Sequence, residues 1–157
     1  MNFKKAGMKC WLFLLEDKMS TEQNKVIARE FIQLWGNGSL DIIDKFAAPS
    51  FSFFYPALPK AFQGGPMFRR VIEFFRSAFS DLNCQIDEEI AEGDKVVMRW
   101  SFSGIHKGTY LGYPATNKRV NWTGMTIYRI VDGKVMEERG EEDYLGFLRQ
   151  IGVVAQS

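Results

Sequence analysis

The sequence predicts an α+β domain in which helices precede a meander of antiparallel strands, and three observations carry that prediction. In the first half of the chain, apolar residues recur at helical spacing. From Asn83 onward the spacing becomes that of strands. These later runs are parted by turn chemistry at Glu92-Gly93-Asp94, at Tyr113-Pro114-Ala115-Thr116-Asn117 and at Asp132-Gly133. The last, an Asp-Gly pair between two β-rich runs, is the strongest hairpin signal in the chain.

The elements follow in order. Ser20 and Gln23 have the form of a capping box, and Ile27, Phe31, Leu34 and Trp35 then mark one face of a helix ending near Gly36. Ser39 is placed to cap a short second helix carrying Leu40, Ile43 and Phe46, which Pro49 keeps from continuing. Phe51 to Tyr55 reads as a short aromatic strand. Gly64-Gly65-Pro66 announces a third helix with Phe68, Val71, Ile72, Phe75, Ala78 and Phe79 on its apolar face and Arg69, Arg70, Glu73 and Arg76 opposite. Four long antiparallel strands are expected near residues 83–91, 95–106, 118–131 and 134–141. Asp143 can then cap a closing helix built on Leu145, Leu148 and Ile151.

A chain of 157 residues has room for one domain with one core, expected over residues 20–157. Residues 1–19 read as a leader outside that domain. Their apolar run, 11–15, is too short for a secretory signal core, and Glu16, Asp17 and Lys18 follow at once, so a cytoplasmic location is expected. Twenty Lys and Arg against 19 Asp and Glu leave a net charge of +1, so no global field recruits phosphate backbones or anionic lipid. Neither nucleic acid nor a membrane is an expected partner. Cys10 and Cys84 lie far apart without metal-ligand spacing and His106 is the single histidine, so no metal site is expected. With Lys107 and Gly108 after it at a strand end, His106 reads as an exposed loop residue. No Gly-rich phosphate loop follows a strand and no G-x-S-x-G elbow occurs, which removes nucleotide binding and serine hydrolysis.

The aromatic content is 15% and includes 14 Phe, enough rings to fill a core or line a cavity. Residues 95–106 alternate without a polar phase: Val96, Met98, Trp100 and Phe102 share one face, and Val97, Arg99, Ser101, Ser103 and Ile105 the other. Residues 118–131 likewise set Trp122, Thr126 and Tyr128 opposite Met125 and Ile127. A sheet wet on one side alternates more cleanly. One face is therefore expected to lie under helices and a cavity, and the other against a second subunit in a homodimer.

The runs RWSFSGIHKGTYLGYPATNKRV, GMTIYRIVDGKVMEE and DYLGFLRQIG contain the paired patterns G-x-H-x-G with G-x-P-x-T and Y-R-I-V-D-G-K with L-R-Q-x-G. Through them, residues 20–153 resemble the SnoaL-like polyketide cyclase (ester cyclase) group of the nuclear transport factor 2-like superfamily. The resemblance implies a cone-shaped curved antiparallel sheet, with three N-terminal helices enclosing a pocket, in a cystatin-like arrangement. It also implies an apolar carbonyl compound as ligand. In that group a pocket carboxylate serves as acid and base in an intramolecular aldol closure of a polyketide ester, without metal or cofactor. Such chemistry needs a base that removes a proton beside a carbonyl and donors that stabilise the enolate. The position matching the group's working aspartate is Gly140, and that matching its histidine is Thr126, with register fixed by the Asp132-Gly133 hairpin and the Leu148-Arg149-Gln150 ending.

With Gly140 in that place, Glu138 and Asp143 become the candidate reacting carboxylates. Glu138 shares a strand phase with Gly140 and Met136, so it faces the pocket if they do; otherwise Glu137, Glu138, Glu141 and Glu142 form a solvated edge around Arg139. Asp143 either substitutes as base or caps the last helix. Trp100, Phe102, Trp122, Thr126 and Tyr128 supply the pocket face of two adjacent strands, joined by Met136 and Gly140 on the last strand and by Tyr55 as a hydrogen-bond donor. Arg99 is expected to pair with Glu88 or Glu89. Two functions fit these residues. One is a cofactor-free cyclase, isomerase or lyase; the other is a binding or carrier protein that kept the pocket and lost the aspartate at Gly140.

Overall fold

The computed structural model describes residues 19–155, so the leader of residues 1–19 lies outside it except for Met19. Helix α1 (Thr21–Ile32) begins at Ser20, whose hydroxyl accepts the Gln23 N–H while the Gln23 side chain accepts the Ser20 N–H. It buries Ile27, Ala28, Phe31 and Ile32 and runs into a 3₁₀ turn at Gln33–Trp35. A short α2 (Asp41–Phe46) follows, with the Ser39 hydroxyl accepting the Asp41 N–H.

Strand β1 (Ala47–Phe54) starts directly after α2, earlier than the sequence suggested, and Pro49 falls where its register shifts. A bulge is one of the few places where a sheet tolerates a proline. After the two-residue β2 (Phe62–Gln63), helix α3 (Gly65–Ala78) carries Pro66 in its first turn and buries Phe68, Ile72, Phe75 and Ala78. Arg76 donates to the Leu34 and Gly38 carbonyls, and so ties α3 to the end of the 3₁₀ turn.

Four strands complete the sheet: β3 (Phe79–Glu92), β4 (Lys95–His106), β5 (Arg119–Val131) and β6 (Lys134–Glu142). Helix α4 (Tyr144–Gln150) closes the described chain. Sheet order is β2-β1-β6-β5-β4-β3, antiparallel throughout except that β1 runs parallel to β6. Asp132 and Gly133 both adopt positive φ between β5 and β6, the backbone that a right-twisted two-residue hairpin needs.

The sheet curves because its strands are bulged. Register shifts fall on β3 between Ser80 and Asn83 and between Ile86 and Glu88, and on β5–β6 at Arg129/Ile130, where Met136 is the extra residue between Val135 and Glu137. Each bulge bends its strand. The concave side holds the aromatic core, and the helices cover it; the sheet stays open.

Three further expectations change, and one holds. β3 begins at Phe79, four residues before Asn83, since the chain passes from α3 to strand without a loop. On α4 the buried residue is Phe147, whereas Leu145 is exposed. Arg99 pairs with Glu88 at 3.7 Å, as expected, and lies 3.6 Å from Asp87, while Glu89 is held by Arg29. His106 is fully buried, stacked on Phe79 with Nδ1 3.2 Å from the Thr116 hydroxyl. Among the described residues no helix is long and apolar enough to cross a membrane.

Candidate active site

Between the concave sheet, α3 and the β4–β5 loop lies an inner cavity of about 100 Å³, and the hollow including its open mouth measures about 770 Å³. Small-molecule sites occupy about 300–1,000 Å³, so the chamber itself encloses only part of such a ligand, and the larger figure counts the open solvent at its mouth. β4 and β5 supply Trp100, Phe102, Trp122 and Thr126; the first helical segment supplies Ile32 and Trp35; β3 supplies Cys84. Val71, Phe74 and Phe75 of α3, Leu58 after β1, and Tyr110 and Leu111 of the β4–β5 loop complete the rim. These rings form one contact network: Phe102 and Trp122 lie 4.4 Å apart, Phe75 and Phe102 5.2 Å, and Trp35 and Tyr55 4.9 Å.

All three wall indoles donate to a specific acceptor. Trp100 Nε1 donates to Thr126 Oγ1 at 3.0 Å, Trp122 Nε1 to Glu142 Oε2 at 3.1 Å, and Trp35 Nε1 to Glu138 Oε1 at 2.8 Å. A buried indole N–H without a partner is costly, so these bonds fix ring orientation.

Glu138 is fully buried and lies behind the wall. Its Oε1 also accepts the hydroxyls of Tyr55 and of Tyr128, the latter at 3.5 Å, while Oε2 has no partner among the described residues. Burial pushes the Glu138 carboxyl up to about 7, and the bonds from Tyr55, Trp35 and Tyr128 act the other way. Burial, together with the Glu138 charge, raises the phenols of Tyr55 and Tyr128 well above their ordinary value, so both stay protonated donors.

Gly140 explains how Tyr55 reaches that carboxyl. A Cβ built on Gly140 would stand 2.1 Å from Tyr55 Cε1 and 2.5 Å from Cδ1, so the ring occupies the place of a side chain at 140. Gly124 does the same for Trp100, since a Cβ there would stand 2.4 Å from Cζ2 of the indole. Thr126 pairs across the sheet with Gly140, and Gly124 with Glu142.

Of the residues singled out from the sequence, Tyr55, Trp100, Phe102, Trp122 and Thr126 come together on the wall. Tyr128 is buried beneath it against Glu138, and Gly140 lies under the Tyr55 ring. Met136 does not share the phase of Glu138 and Gly140, because the bulge turns it out of step and Val135 is buried instead. Asp143 is exposed and accepts the Gly146 N–H at 2.8 Å as the cap of α4. His106 is not on the wall, and burial lowers its pKa.

Sequence reasoning passed over Glu142, Trp35, Phe75 and Tyr110. Glu142 had a usable signal: the alternation that links Glu138 to Gly140 continues to 142. Burial first, and then the neighbouring Glu141 charge, raise its pKa, against the opposing Trp122 bond. Tyr110 had none, since its position depends on how the β4–β5 loop folds back through the Tyr110–Tyr113 pairing.

A curved, open α+β sheet with helices over an aromatic hollow and carboxyl groups set among its rings defines a class of small cone-shaped proteins. A profile of the SnoaL-like polyketide cyclases matches residues 25–151, and the chain belongs to that family, within the nuclear transport factor 2-like superfamily. It is 29% identical over 138 residues to the aklanonic acid methyl ester cyclase of Streptomyces peucetius, covering 85% of this chain and 92% of that one. It is 30% identical over 125 residues to the nogalonic acid methyl ester cyclase of Streptomyces nogalater, covering 77% and 91%. Among solved structures, the TsrD protein of Streptomyces laurentii superposes with a TM-score of 0.76 at 29% identity, over 87% of this chain and 99% of that one.

Proposed function

We propose that this protein is a cofactor-free ester cyclase that takes an apolar polyketide ester with two carbonyl groups into the hollow and closes a ring by intramolecular aldol addition. The observation that carries this reading is an aromatic hollow lined by one carboxyl group, Glu142, with a second, Glu138, buried behind the wall, burial raising the pKa of both. A base takes a proton from the carbon beside one carbonyl. The enolate carbon attacks the second carbonyl carbon, a C–C bond forms, and the new alkoxide oxygen takes a proton. Product and substrate are isomers of one mass. The flat faces of Phe75, Trp100, Phe102 and Trp122 suit a fused aromatic system, with the inner chamber taking the reacting end and the mouth the remainder. Glu138 works from behind the wall, holding Tyr55 and Trp35 in position.

The relatives' substrates supply the probe. Purified protein with aklanonic acid methyl ester is expected to yield an isomer of unchanged mass at a rate proportional to protein concentration; ester recovered unchanged after long incubation refutes the enzyme reading. One observation favours a carrier instead: the Tyr55 ring fills the space over Gly140. Saturable binding with complete recovery of the ester supports that second reading.

A further inference from the structure

We infer that Glu142 is the carboxylate that takes the substrate's proton and returns it, the working group having moved two residues along β6 from the position now held by Gly140. This rests on the cyclase reading. Glu138, Gly140 and Glu142 alternate onto one side of β6. The first is sealed behind Tyr55 and Trp35, with Oε1 occupied by their donors and by Tyr128. The second has no side chain, and the Tyr55 ring fills its place. Glu142 alone of the three lines the cavity.

Its geometry suits the task. The Trp122 indole holds Oε2 at 3.1 Å, which leaves Oε1 as the oxygen without a protein donor among the described residues. Across the sheet, the Trp100 indole occupies the place of a Cβ on Gly124, the residue paired with Glu142, so the carboxylate is set beside the rings on which a polyketide would stack. Burial raises the Glu142 pKa above the usual carboxylate range, which strengthens it as a base. In the reaction, Oε1 takes the proton from the carbon beside the carbonyl, the enolate carbon closes the C–C bond, and the alkoxide recovers that proton from Glu142.

Two measurements test this. With aklanonic acid methyl ester, Glu142→Gln is expected to lower kcat about 100-fold or more with KM within a few-fold, Glu142→Asp to restore part of the rate, and Asp143→Asn to leave it unchanged. Independently, 1,2-epoxy-3-phenoxypropane is expected to esterify Glu142: a carboxylate oxygen attacks an epoxide carbon, the C–O bond opens and the alkoxide takes a proton from water. Peptide mass spectrometry locates the ester. Wild-type kcat in Glu142→Gln, or label on Glu138 in place of Glu142, would overturn the assignment. Label on Glu142 without any turnover by the parent protein would overturn the cyclase reading and the proton transfer with it, leaving only a reactive carboxylate at the cavity.

Discussion

Gly140 and Tyr55 share one space, and that fact organises the site at the scale of single residues. The missing Cβ lets the phenol cross over β6 to Glu138, so a methyl group there must displace the ring or the strand. Gly140→Ala is expected to cost about 1–3 kcal/mol, the range for overpacking a close-packed interior, read as a lowered chemical-denaturation midpoint. Glu138 gives a pH-dependent prediction. Its carboxyl titrates near 4.5 when unfolded and is pushed up to about 7 in the fold, so the native state favours the protonated form. The associated stability is fully present below the unfolded value and is lost as pH rises through about 7, by about 3 kcal/mol in all. Glu138→Gln is expected to remove this component, flattening the stability profile between about pH 4 and about pH 8; a profile parallel to the parent's would contradict it.

At the scale of elements, local rules and tertiary placement separate cleanly. The Ser20–Gln23 capping box, the Pro66 start of α3, the Asp132-Gly133 hairpin and the limits of β4 were all legible because each depends on neighbours within a few residues. The bulges were not. Met136 was assigned inward by strict alternation, and the one-residue slip at Arg129/Ile130 reverses it, which no period-two pattern can foresee. Asp143 stood between two roles, and its bond to the Gly146 N–H is that of a helix cap. Asp143→Ala is expected to cost about 1 kcal/mol, the usual value of a lost N-cap, while changing turnover little. A large loss of rate with stability unchanged would return Asp143 to the candidate bases.

At the scale of the whole molecule, the two sheet faces have different fates. The inner face holds the aromatic hollow, whose existence was legible from 14 Phe and strands without a polar phase; its depth and mouth were not, because α3 and the β4–β5 loop set them. The outer face leaves Ile90, Met125 and Ile127 exposed; Ile90, Val97 and Ile127 are paired in line across β3 to β5, and Met125 lies two residues from Ile127 opposite Arg99. We propose that a second copy of the chain covers this stripe, and light scattering is expected to give the dimer mass, with Ile127→Glu shifting it to monomer. We propose that the hollow receives an aromatic polyketide ester, and the indole N–H signals of Trp35, Trp100 and Trp122 report on its wall directly. In a nuclear magnetic resonance titration with aklanonic acid methyl ester, all three are predicted to shift together and saturate at one equivalent. Three indole signals unmoved by excess ester would refute binding in the hollow.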